Sequence, residues 1–222
     1  MQDCHLERLK VTLLGEEWTS QGGGLSTFNR ELAKHLAKVK HSEVEVTLLV
    51  PEGACTQKDK NDAWGNGVRV MEAKKCVYYK PADWLISPPD NFNADVVFGH
   101  GRIFGPQVQI LKRPPYNCQW IQVVHTDPEE LAKYKGYDCP ISEGERKRDT
   151  EIALCKIANL VVPVGPKLCE KYSSYLASKP DGNIVPLTPG LFEEFGDLPD
   201  LKKDPEGKIG RASCRERVCQ YV

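Results

Sequence analysis

The stretch Lys10-Val11-Thr12-Leu13-Leu14-Gly15-Glu16-Glu17-Trp18-Thr19-Ser20-Gln21-Gly22-Gly23-Gly24-Leu25-Ser26-Thr27-Phe28-Asn29-Arg30-Glu31-Leu32-Ala33-Lys34-His35-Leu36-Ala37 changes period twice. Residues 10–14 form a β-branched and aliphatic run that predicts a buried strand. From Leu25 onward, Leu25, Phe28, Leu32 and Leu36 recur at three- and four-residue steps, which predicts an amphipathic helix capped by Ser26 or Thr27. Between them stand three consecutive glycines, Gly22 to Gly24. Glycines there permit positive φ and close backbone approach, and a following helix N-terminus offers unpaired N–H groups to an anion such as a diphosphate. Glycines also serve simply to make a tight turn, and spacing does not separate the two readings.

Two known phosphate loops do not fit. No Gly-Lys-Ser/Thr follows the glycines, as a P-loop requires. A dinucleotide fingerprint can begin at Gly22 and Gly24, but Thr27 takes its third glycine position. Outward from this unit, further strands are expected at 44–50, 68–72, 94–98, 120–124, 159–164 and 183–187, with helices at about 145–158 and 166–177. Several strands are apolar nearly throughout, as strands covered on both faces are. The expected fold is therefore α/β: a Rossmann-like three-layer α/β/α domain with a mostly parallel sheet of about seven strands. Residues 53–66 and 78–93 read as surface loops, and 127–144 has weak order signals.

Composition narrows the class. The chain has 222 residues, 40% hydrophobic and 27% charged, with a net charge of −1 that argues against general nucleic-acid binding. No apolar run is long enough to span a bilayer, and the polar start Met1-Gln2-Asp3-Cys4-His5 lacks a signal-peptide core, so a cytoplasmic location is expected. The nine cysteines are scattered without a Cys-x-x-Cys pair, which predicts free thiols rather than zinc or disulfide scaffolds. Residues 208–222 break with everything before them and carry four basic residues against one acidic. Their core, 209–218, resembles the conceptual translation of a sequencing adapter, so the expected organisation is a domain at 1–195, a linker start at 196–207 and a non-native tail at 208–222.

The string Gly23-Gly24-Leu25-Ser26-Thr27-Phe28-Asn29-Arg30-Glu31-Leu32-Ala33-Lys34-His35-Leu36-Ala37 resembles the opening of the family 4 glycosyltransferases, which share a Gly-Gly, an aromatic, and Glu-Leu-Ala-x-x-Leu-Ala. Ala94-Asp95-Val96-Val97-Phe98-Gly99-His100-Gly101, Gln122-Val123-Val124-His125-Thr126-Asp127, Asn159-Leu160-Val161-Val162-Pro163-Val164 and Ile184-Val185-Pro186-Leu187-Thr188-Pro189-Gly190 with Phe195 resemble later family stretches, in order. The resemblance implies the N-terminal half of a GT-B fold, with a nucleotide-sugar donor bound between two domains.

It further implies that Gly23 and Gly24 approach the donor diphosphate and that His125 is the catalytic residue, contacting the donor sugar. His100, Gly101 and Thr126 fall at the acceptor side or cleft rim. The implied reaction is hexosyl transfer from a nucleotide-diphosphate sugar to an unknown acceptor, with retention, without metal or cofactor. The alternatives are a non-catalytic glycosyltransferase-like module of a larger protein and, on the imperfect fingerprint, a nicotinamide-dependent oxidoreductase. Because the family's second domain carries most donor contacts, the 222-residue chain is expected to fold yet show no turnover. A coupled assay for released nucleoside diphosphate checks this, and robust turnover contradicts it.

Overall fold

The computed structural model describes residues 8–19, 21–39, 43–177 and 183–190. Six strands, β1 (Leu9–Leu14), β2 (Val44–Pro51), β3 (Val68–Ala73), β4 (Val96–His100), β5 (Gln119–Val124) and β6 (Leu160–Pro163), pair in the order β3-β2-β1-β4-β5-β6. Every pairing is parallel. Seven helices connect them: α1 (Gly24–Val39), α2 (Gln57–Gly65), α3 (Pro81–Trp84), α4 (Gly101–Leu111), α5 (Pro128–Ala132), α6 (Pro140–Ile157) and α7 (Pro166–Tyr175).

Side-chain alternation along the strands splits the core in two. Leu13 and Leu48 pack with Ala33, Ala37 and Ala63 under α1 and α2. Their neighbours Leu14 and Leu49 join the other cluster, where Phe104, Val108 and Leu111 of α4, Leu154 and Cys155 of α6, and Tyr172 of α7 cover the sheet. Covered on both faces, the central strands carry long apolar runs, such as Leu13-Leu14 and Leu48-Leu49-Val50, rather than alternating strictly, and the three-layer arrangement follows. The six described cysteines are free. Among the described residues no helix is long and apolar enough to cross a membrane.

The seventh expected strand is a rudiment. Residues 183–187 lie parallel to β6, with bridges Val161 to Ile184 and Val164 to Leu187. The N–H groups of Val185 and Leu187 both donate to β6, each at 3.0 Å, so the nitrogen of Pro186 between them faces the open side. A proline there removes a donor from the sheet edge, which blunts it against further pairing.

Five helical segments were hidden in the sequence: α2, α4 and the first turn of α6, together with two short ones, α3 inside the expected 78–93 loop and α5 inside 127–144. Residues 57–65 belong to α2, not to a loop: the Thr56 side chain caps the Asp59 N–H while Asp59 returns to the Thr56 N–H at 2.8 Å. Because Ala63 is its one buried side chain, α2 has no apolar stripe to read. Helix α4 carries Gly101, Gly105 and Pro106, residues that argue against a helix locally. A Cβ on Gly105 would stand 2.8 Å from Leu154 Cδ1 and 3.0 Å from Gln122 Oε1, so the bare backbone permits the close packing of α4 on α6 and β5. Helix α6 begins at Pro140 instead of near 145, with proline in its first turn. Phe195, the linker and the tail lie outside the described residues.

The long β1–α1 connection, residues 15–23, is anchored by Trp18, which is 2% exposed within the α1/α2 cluster and donates its indole N–H to Asp62 at 2.6 Å. Trp18→Ala removes both contacts, and urea unfolding is expected to show a loss of about 3–5 kcal/mol. A loss below about 1 kcal/mol would mean the loop is held otherwise.

Candidate functional site

The sheet order reverses direction at β1 and β4, and ligands in open parallel sheets collect outside the carboxyl ends of the strands at such a point. Three features converge there. The first is the glycine cluster. Gly22 N–H donates to the Glu17 carboxylate, whose other oxygen accepts from Thr19 Oγ1 at 3.0 Å, so the loop closes on itself. Gly23 has φ +111°, a conformation that excludes most side chains, and the space its Cβ would occupy is open. Helix α1 then begins at Gly24 with no acidic residue in its first turn, leaving the positive end of its dipole unneutralised from within.

The second feature is a hydrogen-bonded chain from α1 to the histidines. Asn29, 2% exposed, donates Nδ2–H to the Leu14 carbonyl at 2.9 Å. A Cβ on Gly15 would lie 2.8 Å from that nitrogen, so the residue after β1 must be glycine for the bond to form. The Asn29 oxygen faces His100 Nε2 at 3.0 Å, and His100 Nδ1 faces His125 Nε2 at 2.9 Å. A carbonyl only accepts, which fixes the amide, and the amide oxygen then requires a proton on His100 Nε2. Neutral His100 therefore accepts at Nδ1 from His125 Nε2–H. This leaves Nδ1 of His125 as an acceptor without a hydrogen-bond partner among the described residues.

The third is an aromatic wall. Phe28 of α1 stands edge-on to His125 with centroids 4.7 Å apart and to His100 at 6.1 Å, while Phe104 approaches His100 at 6.4 Å. Burial disfavours the charged imidazoles. It lowers the His125 pKa to about 4, and it lowers His100 well below its ordinary value, helped by the neighbouring His125.

The site residues expected from sequence therefore gather at one end of the sheet, but in different roles. His125 and exposed Thr126 follow β5, and Gly101 opens α4 with φ +52°. His100, expected on the cleft rim, is 1% exposed with both ring nitrogens engaged, so it stands behind His125. Asp127 is a helix cap: it accepts from the N–H groups of Glu129 and Glu130 and pairs with Lys171. A depression of about 300 Å³ bounded by Glu129, Ile141 and Lys171 lies beside α5 and not at the histidines.

Sequence reading missed Asn29, Gln122 and Glu151. Each is a polar residue inside an apolar pattern: Asn29 on the Leu25–Leu32 face, Gln122 within Trp120-Ile121-Gln122-Val123-Val124, and Glu151 beside Ile152. Gln122 is fully buried. Its Oε1 accepts from Trp120 Nε1 at 3.1 Å, and its Nε2 donates to the Gly101 carbonyl at 2.9 Å and to Glu151 Oε1 at 3.1 Å. Burial raises the Glu151 pKa to about 7, outweighing the bonds from Gln122 and the Arg102 backbone.

These shifts act on stability with opposite signs. The fold disfavours the histidine proton, so that contribution is complete above the ordinary value of 6.5 and is lost as pH falls toward about 4. His125 alone is worth on the order of 3 kcal/mol over that window. The fold favours the Glu151 proton, so its contribution is complete below 4.5 and is lost as pH rises through about 7. The two windows overlap and offset each other. Glu151→Gln removes the second, and its urea midpoint is expected to fall more steeply than wild type between about pH 7 and 5. Parallel curves would contradict the opposition.

No curated protein sequence matches the chain. Among solved structures, a chain of the Pseudomonas aeruginosa RhlG/NADP active-site complex is 12% identical with a TM-score of 0.44, the match covering 85% of this chain and 98% of that one. The family model described as Family 4 Glycosyltransferase in conflict systems matches residues 12–212. With nearly its whole length matched by that model, and a six-stranded parallel sheet beneath the glycine loop and the histidine pair, the chain belongs to this glycosyltransferase family.

Proposed function

We propose that the chain forms the N-terminal wall of a donor site for retaining transfer of a hexosyl group from a nucleotide-diphosphate sugar to an acceptor. The observation that carries this reading is the bonded link from α1, whose N-terminus opens at Gly23 and Gly24, through Asn29 and His100 to His125. It ties an anion-favouring helix end on α1 to an imidazole at the end of β5 whose Nδ1 has no partner among the described residues.

The chemistry of each part suits a different part of the donor. The N–H groups at Gly23 and Gly24 meet the diphosphate, and at Gly23 open space and positive φ let phosphate oxygens approach the backbone. His125 Nδ1, neutral at physiological pH, accepts from a sugar hydroxyl. An uncharged imidazole in this position orients the sugar and also lets the transition-state charge be met by a preorganised dipole. Thr126, exposed beside it, offers a hydroxyl on the acceptor side. His100 acts through His125, fixing its tautomer.

Calorimetric titration of the chain with UDP-glucose, GDP-mannose and ADP-glucose, with the matching nucleoside diphosphates and NADH as controls, tests this. At least one sugar nucleotide is expected to bind, and NADH is not. Gly23→Val is expected to weaken nucleoside diphosphate and sugar nucleotide alike by about tenfold or more. His125→Ala is expected to weaken the sugar nucleotide by about tenfold, one lost hydrogen bond, while leaving the nucleoside diphosphate unchanged. Equal affinities for wild type and both variants would overturn the assignment.

A further inference from the structure

We propose that Gln122 and Glu151, which touch no ligand surface themselves, are positioning residues that hold the β4–α4 corner so that His100 keeps His125 in a single tautomer. The proposal rests on the reading of the histidine pair given above, but concerns how the pair is built.

The corner is unusually bare and unusually polar. His100 is the last residue of β4, and Gly101 turns the chain into α4 with φ +52°, in the left-handed region that favours glycine. The peptide that follows is held through Gln122: the Gly101 carbonyl accepts from Gln122 Nε2 at 2.9 Å, the same nitrogen donates to Glu151 Oε1 at 3.1 Å, and the Glu151 carboxyl lies close enough to the Arg102 backbone to be favoured in its charged form by it. Gln122 is fixed in turn by Trp120 Nε1–H, which only donates, so its amide has one orientation and all three of its bonds are directional. Two glycines, Gly99 and Gly105, make room for this pair, while Gly101 lies in ordinary contact with it. A Cβ on Gly99 would stand 3.1 Å from Gln122 Oε1, one on Gly105 3.0 Å from the same atom, and one on Gly101 3.5 Å from Glu151 Oε2.

A core needing only filled volume is served better by apolar side chains, since a buried carboxylate–amide pair recovers little net stability. What the polar pair supplies is direction. His100 must sustain bonds of 2.9 and 3.0 Å on opposite sides of its ring, and such bonds weaken steeply with misalignment. An anchored turn immediately after it removes the backbone freedom that would let the ring rotate.

Long-range proton–nitrogen NMR spectra of the histidine rings in the 222-residue chain read the tautomers directly. Wild type is expected to show both His100 and His125 protonated at Nε2 alone. Gln122→Met and Glu151→Gln are expected to lose that pattern, His125 exchanging between both tautomers. Val68→Ala, a truncation in the opposite core cluster, is expected to lower the melting temperature and keep the wild-type pattern. If Gln122→Met fails to fold, the near-isosteric Glu151→Gln decides alone. Wild-type tautomers in the folded Gln122 and Glu151 variants, or equal loss in Val68→Ala, would overturn the proposal. Because these spectra need no ligand, absence of sugar-nucleotide binding would refute the donor-site reading and leave the positioning result standing.

Discussion

The bond from the Asn29 amide to the Leu14 carbonyl couples the first helix to the first strand at the point where the sheet order reverses. Leu14 is the last residue of β1, and its carbonyl is buried where no water reaches it. Left unpaired it would cost on the order of 1–3 kcal/mol. Asn29 satisfies it and spends its other polar atom on His100, so one side chain joins β1, α1 and β4. Gly15 is bare because this amide lies over it, and the helix that presents Asn29 also presents Phe28 to both imidazoles and opens at the glycine cluster. Where α1 sits places the glycine opening and Phe28 directly and, through Asn29, orients the histidine pair.

The surrounding fold makes that placement rigid. Strands buried on both faces bring β1, β4 and β5 side by side with their carboxyl ends level, and helices on each face leave those ends as the open edge of the sheet. Two polar chains run through the otherwise apolar interior at this edge. One passes from Leu14 through Asn29 and His100 to His125, the other from Trp120 through Gln122 to Glu151 and the α4 corner. They meet at His100 and Gly101, consecutive residues, and because burial disfavours whichever form is charged, it raises the acid and lowers the imidazoles within one small volume.

Much of the fold was legible because its signals are local and periodic. Apolar runs such as Val46 to Val50 and the Leu25–Leu36 stripe report two-sided burial and an amphipathic face directly. Helix α4 was not legible, since Gly101, Gly105 and Pro106 serve contacts to α6 and β5 that lie far off in sequence. The edge segment at 183–187 was readable as a strand but not as a rudiment, because Pro186 sits outward only once the register with β6 is known. At the site, glycines and histidines stood out by type and position. Asn29, Gln122 and Glu151 did not, as their roles come from tertiary partners 15, 21 and 29 residues away.

The central claim is that ligand meets this protein at the wall formed by Gly23, Gly24, Phe28, His125 and Thr126. Backbone amide chemical-shift mapping of the isotopically labelled chain during titration with UDP-glucose, GDP-mannose and ADP-glucose tests it most directly. The account predicts that the shifts for a bound sugar nucleotide cluster at residues 22–28, 100–102 and 125–127. Shifts concentrated instead around Glu129, Ile141 and Lys171, or no localised shifts with any of the three, would contradict it.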